Sequence, residues 1–172
     1  MTTLVTGGAK CGKSSYAEKV LENFTGQKYY IATMEPVGDD AYEIIARHRE
    51  ARKNKNFITV ECPRDVGKLD LPVGCGILLE CIGNLCANEM YTCGKVYRTS
   101  DKIIRDIRLL GETASQLVIV TNEVGSDGIS YSEDIMAFVS EIAHINSGIA
   151  KFADNVVECV YGIPNVLKGK LI

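Results

Sequence analysis

Along most of the chain, short apolar runs alternate with amphipathic stretches. The runs predict strands at Thr2–Thr6, Lys28–Thr33, Phe57–Glu61, Gly76–Glu80, Leu117–Asn122 and Asn155–Val160. Between them, apolar residues at helical spacing predict helices at Lys13–Glu22, Asp39–Arg52, Ile82–Met90, Asp101–Thr113 and Glu133–Ala153. "GILLE" and "LVIVTN" are apolar without alternation, the pattern of strands covered on both faces. Ser130 with Glu133 has the spacing of a capping box ahead of the last helix. Strand and helix in alternation predict an α/β domain, a mostly parallel twisted sheet flanked by helices. No repeat or linker divides the 172 residues, so residues 1–172 are expected to form a single domain. The least patterned stretches, Pro63–Cys75 and Tyr91–Ser100, are expected to be surface loops.

Composition removes several function classes. A net charge of −3 gives no electrostatic basis for binding nucleic acid or an anionic membrane. No apolar run approaches the roughly 20 residues of a membrane helix. The opening "MTTLVTGG" lacks the basic and apolar segments of a secretory signal, so a cytoplasmic protein is expected. Seven cysteines (Cys11, Cys62, Cys75, Cys81, Cys86, Cys93, Cys159) include no C-x-x-C pair, which argues against a zinc cluster. In a reducing compartment they read as small apolar fillers.

The chemistry starts at "GGAKCGKS". Gly7, Gly8, Ala9, Lys10, Cys11, Gly12, Lys13 and Ser14 fit G-x-x-x-x-G-K-[ST] without mismatch, between a predicted strand and a predicted helix. Glycines let backbone N–H groups turn inward around a phosphate chain, and the following helix directs its positive end at the same anions. Lys13 can reach the terminal phosphates, and the Ser14 hydroxyl can ligate Mg²⁺. A Mg²⁺–nucleotide site also needs a carboxylate at the end of a neighbouring strand. Glu80, closing "GILLE", and Glu123, after "LVIVTN", both stand at such places. Glu80 is the preferred candidate.

Of the two histidines, His144 lies among Ile142, Ala143 and Ile145 and reads as a packing or surface residue. His48 is surrounded by Arg47, Arg49, Arg52 and Lys53, at the edge of an apolar helix face marked by Ile44 and Ile45. Two readings stand on these residues alone. One is a solvated basic face. In the other, nearby cations keep the imidazole neutral and nucleophilic while the arginines hold phosphate oxygens.

Five patches together are more specific: "LVTGGAKCGKSSYAE", "YIATM", "IARHREAR" with "TVEC" after it, "LLECI" followed by Asn88, and "VTNEVG". The terminal "GIPNVLK" joins them. With these patches the chain resembles the bifunctional adenosylcobinamide kinase / adenosylcobinamide-phosphate guanylyltransferase family of cobalamin biosynthesis. The resemblance implies a P-loop NTPase-like fold and two reactions. The aminopropanol hydroxyl of the corrinoid adenosylcobinamide is phosphorylated by a nucleoside triphosphate, ATP or GTP; GMP then passes from GTP to that phosphate. It implies His48 as the residue that carries GMP, with Lys13 catalytic in the phosphate cradle. Nucleotide contacts are implied at Gly7–Ser14, at Ala32, Thr33 and Met34, at Arg49, Glu50, Ala51 and Arg52, and at Glu61 and Glu80. Ser14 and Glu80 would hold Mg²⁺, and a homotrimer is implied.

The chain departs from the family pattern after His48. Arg52 is followed by Lys53 rather than proline, and Phe57 comes one residue later than the usual tryptophan. After "TNEVG", the stretch "SDGISYS" replaces Gly-Ile-Val-Pro, and Val139 and Ser140 stand at a usual Arg-Asp, although Asn146 remains. Two other functions fit the P-loop: a single-activity kinase for a small hydroxyl substrate, and a nucleotide-binding regulatory subunit without turnover.

Overall fold

A computed structural model describes residues 1–35, 55–92, 95–125, 128–129 and 131–171. Strands β1 (Thr2–Thr6), β2 (Lys28–Ala32), β3 (Phe57–Glu61), β4 (Gly76–Glu80), β7 (Gln116–Val120), β8 (Asn155–Val160) and β9 (Ile163–Lys168) form one sheet in the order β3-β2-β4-β7-β1-β8-β9. All neighbours are parallel except β8 and β9. Strands β5 (Tyr91–Thr92) and β6 (Lys95–Val96) pair separately. The described helices are α1 (Lys13–Val20), α2 (Ile82–Met90), α3 (Ser100–Thr113) and α4 (Glu133–Phe152).

The unalternating strands are buried on both faces, and a period of two sorts their side chains. Leu4, Ile31, Ile77, Leu79, Leu117 and Ile119 pack on one side, with Ile103 and Ile107 of α3 and Ile142, Ile145 and Ile149 of α4. Val5, Tyr30, Leu78, Val118 and Val120 pack on the other, with Ala17 and Val20 of α1. Fully burying one such Leu, Ile or Val side chain contributes about 1.5–3 kcal/mol. Helix α1 therefore has a face of the sheet opposite α3 and α4.

The α3 side is tied together by charge. Glu141 of α4, buried, accepts backbone N–H bonds from Thr99 (2.7 Å) and Ser100 (2.8 Å), capping α3 from a neighbouring helix. Burial raises the Glu141 pKa, but bonds from Thr99 and Ser100 outweigh it and hold the carboxyl below its ordinary value. Asp65, Glu89 and Asp106 gather three carboxylates, and the Lys102 ammonium pairs with all three. It lies 2.9 Å from Asp65 Oδ1 and 3.2 Å from Asp106 Oδ2, and also pairs with Glu89. Burial would lower the Lys102 pKa; hydrogen bonds to Glu89, Asp65 and Asp106 prevail and raise it. Burial also pushes the Cys86 thiol up to about 12, so this cysteine is a neutral filler.

The predicted spans of β1, β3, β4, β8 and α2 coincide with the structure. Strand β2 ends at Ala32, leaving Thr33 beyond the sheet, and β7 is shifted to Gln116–Val120. Helix α1 stops at Val20, short of Glu22; α3 starts one residue early, and α4 ends at Phe152. Ser132 is the N-cap of α4, and it makes no side-chain cap bond. The expected loops contain a 3₁₀ turn at Val66–Lys68 and the β5–β6 pair, and β9 was not predicted. The expected helix Asp39–Arg52, Cys93 and Ser130 lie outside the described residues.

Candidate nucleotide-binding site

In a parallel sheet the crevice for ligands lies outside the carboxyl ends of the strands, where the chain order reverses. Here that point is β1. The chain leaves it for β2 and β3, returns through β4 and β7, and only then places β8 on its far side. Gly7–Gly12 connects β1 to α1 at that point.

Two glycines of this loop are fixed by close approach. Gly7 has φ 139°, and a Cβ there would sit 2.5 Å from the Cys159 carbonyl oxygen. Gly12 has φ 99°, and its Cβ would sit 3.1 Å from Gly162 Cα. Gly8, Ala9 and Lys10 are exposed, whereas Lys13 is buried. The Lys13 ammonium donates to the carbonyl oxygens of Gly7 (3.0 Å) and Gly8 (2.5 Å), closing the loop around a positive charge. A groove of about 270 Å³ is lined by Lys10, Cys11, Gly12, Lys13, Ser14 and Ser15.

Glu80 reaches this loop because of the same period of two. Leu78 packs on the α1 side, so Glu80, two residues on, projects to that side as well. Its carboxylate accepts hydrogen bonds from the Ser14 hydroxyl and, at 2.7 Å, from the Tyr30 hydroxyl. Tyr30 has the same facing, since it pairs with Leu78 while Ala32 pairs with Glu80. Glu61 also pairs with Ala32, which sets it roughly 10 Å from Glu80 across two strand spacings. Glu123 is exposed, and its backbone N–H donates to the Gly7 carbonyl at 3.2 Å.

Ala32 and Thr33 are buried and Met34 is half-buried. The Thr33 hydroxyl donates to the Cys81 carbonyl and accepts from the Cys81 N–H, both at 2.8 Å. The Thr33 N–H donates to the Glu80 carbonyl at 3.0 Å. This side chain thus binds the residue after Glu80 and holds the ends of β2 and β4 together. Asn88 of α2 donates to the carbonyls of Thr33 (2.8 Å) and Pro63 (3.0 Å). Arg64 grips Glu35 with two bonds, 2.6 and 2.9 Å, and the Asn88 carbonyl with a third. The Arg64 hydrogen bond holds the Glu35 carboxyl below its ordinary value. On the other side, Asn146 of α4 accepts from the Thr121 hydroxyl and donates to the Asn122 carbonyl, bracing the start of "TNEVG".

The structure therefore brings together Lys13, Ser14 and Glu80, with Glu61 on the same face. His48, Arg49, Glu50, Ala51 and Arg52 lie outside the described residues. Sequence reasoning missed Tyr30, Arg64 and Glu35. For Tyr30 a signal existed: it is two residues before Ala32, on the face that Ala32 shares with Glu80.

Fold and loop together define a P-loop NTPase-type α/β protein. An ATPase from the type III secretion system of pathogenic bacteria has this fold, with a TM-score of 0.51 and 12% identity over 91% of the chain. The chain spans about half of that ATPase, 50% of its length. Residues 3–167 match the family described as "Cobinamide kinase / cobinamide phosphate guanyltransferase", and the chain belongs to that family. It is 32% identical to the bifunctional adenosylcobalamin biosynthesis protein CobU of Salmonella typhimurium, covering 95% of this chain and 97% of that one. It is 28% identical to the bifunctional adenosylcobalamin biosynthesis protein CobP of Pseudomonas aeruginosa, covering 99% of both.

Proposed function

We propose that this protein phosphorylates the aminopropanol hydroxyl of adenosylcobinamide with a nucleoside triphosphate, then transfers GMP from GTP to that phosphate. The observation that carries the reading is the meeting of Ser14 with Glu80 beside the Lys13-closed loop, in a chain of this family. A hydroxyl and a carboxylate oxygen in contact are the hard donors that Mg²⁺ takes. Ser14 and Glu80 would hold that ion, which when bound neutralises charge on the terminal phosphates. Lys13 would leave its loop carbonyls for the phosphate oxygens, and the loop N–H groups would orient the chain for in-line attack by the substrate hydroxyl.

For the second reaction His48 is the nucleophile. Its neutral imidazole nitrogen attacks the α-phosphorus of GTP, a P–N bond forms, and pyrophosphate leaves. An oxygen of the corrinoid phosphate then attacks the same phosphorus, the P–N bond breaks, and adenosylcobinamide-GDP departs with the imidazole restored. Arg49 and Arg52 would hold the transferring group, with Glu50, Ala51, Ala32, Met34 and Glu61 around the nucleotide. Thr33 belongs to this set through its hold on Cys81. A homotrimer in the cytoplasm completes the reading.

Product analysis tests it. With adenosylcobinamide, ATP and GTP, the unchanged protein should give the phosphate and then the GDP derivative, and His48→Ala should stop at the phosphate. Failure of the unchanged protein to phosphorylate adenosylcobinamide would overturn the proposal.

A further inference from the structure

The connection between β8 and β9 is two residues long, Tyr161 and Gly162. Both are left-handed, with φ 51° and 81°. Turns of this kind favour Asn-Gly or Asp-Gly, and a positive φ on a bulky side chain is an outlier. Tyr161 is 95% exposed, so no burial compensates for the conformation. The turn is nevertheless held in place, because the Gly162 N–H donates to the Cys11 carbonyl of the phosphate loop at 2.8 Å. Gly162 also lies against Gly12, where a Cβ would come within 3.1 Å of the Gly162 Cα. An aromatic ring is thus carried by the residue next to the one that touches the cradle.

The loop also has a direction. Ser14 and Glu80 mark the end for the terminal phosphate and its cation, on the β4 side of β1. Strand β8 and its turn lie on the opposite side of β1. A triphosphate chain laid around the loop with its terminus toward Glu80 emerges toward the β8–β9 turn at its nucleoside end. We propose that Tyr161 is the platform on which the base of the loop-bound nucleoside triphosphate stacks. The inference rests on the phosphate-cradle reading and adds a base subsite to it. Stacking tolerates any base, since every base offers a π face, so the platform favours nucleotides over bare phosphates rather than one purine over another.

Binding measurements with MgATP and with Mg-tripolyphosphate, which has no base, test the idea. Tyr161→Asn suits the turn, so the variant should melt no lower than the unchanged protein. It should bind MgATP about tenfold more weakly and tripolyphosphate equally well. Because the chain has no tryptophan, Tyr161→Trp places a single tryptophan on the turn, which red-edge excitation reads apart from the tyrosines. Its emission should be quenched by MgATP and unmoved by tripolyphosphate. Equal MgATP affinity in Tyr161→Asn, or emission of Tyr161→Trp that MgATP leaves unchanged, would overturn the platform while the cradle stood. Tripolyphosphate binding that survives Lys13→Ala would instead overturn the cradle and the platform with it.

Discussion

Lys13 has two tasks that a single substitution would separate from the rest of the loop. Its ammonium satisfies the carbonyls of Gly7 and Gly8, and it is the buried charge nearest the cradle. Lys13→Ala should lower kinase turnover by about a hundredfold or more while the protein stays folded. Near-normal turnover in a folded variant would count against the assigned cradle. Thr33 acts at one remove, through Cys81 and the backbone of Glu80. Thr33→Val keeps the shape but leaves the Cys81 N–H and carbonyl without the hydroxyl, at about 1–3 kcal/mol in denaturant unfolding. If Thr33 positions Glu80, the variant should also need more Mg²⁺ for half-maximal rate, and Thr33→Ser should restore both. Stability lost with the Mg²⁺ requirement unchanged would make Thr33 a purely structural clamp.

The elements differ in how plainly the sequence announces them. Strand β4 was legible because "GILLE" is buried on both faces, and α2 because Ile82, Leu85, Cys86 and Met90 keep helical spacing on a buried face. Strand β9 is an antiparallel edge strand with a proline and exposed Ile163 and Leu167, so it has neither a continuous run nor clear burial. Strands β5 and β6 are two residues each, too short for any period to appear. The cap of α3 was hidden for another reason: Glu141 is 41 residues from Ser100, and only the packing of α4 brings it there. Its folded pKa is depressed, so its contribution is present above the ordinary value of 4.5 and is lost as pH falls through the folded value. Glu141→Gln should cost about 1–2 kcal/mol at pH 7 and flatten the loss of stability on acidification below about pH 5. Parallel pH profiles for variant and unchanged protein would show that this carboxylate does not cap α3.

At the scale of the molecule, the loop motif and the sheet order point to one candidate site at the carboxyl edge of β1. The P-loop could be read from eight residues because its function is carried by local backbone geometry. The partner carboxylate required the fold, since Glu80 and Glu123 stand alike at strand ends in sequence, but only Glu80 is hydrogen-bonded to Ser14. The direct test of the two-step chemistry is incubation of the protein with GTP labelled at the α-phosphate. A histidine-bound GMP is a phosphoramidate, and protonation of its nitrogen makes imidazole a good leaving group. The label should therefore remain on the protein in alkali, leave it in acid, pass to adenosylcobinamide phosphate on addition, and be absent from His48→Ala, which should still phosphorylate adenosylcobinamide. A protein that makes adenosylcobinamide phosphate yet takes up no label, or one labelled equally after His48→Ala, would contradict guanylyl transfer through His48.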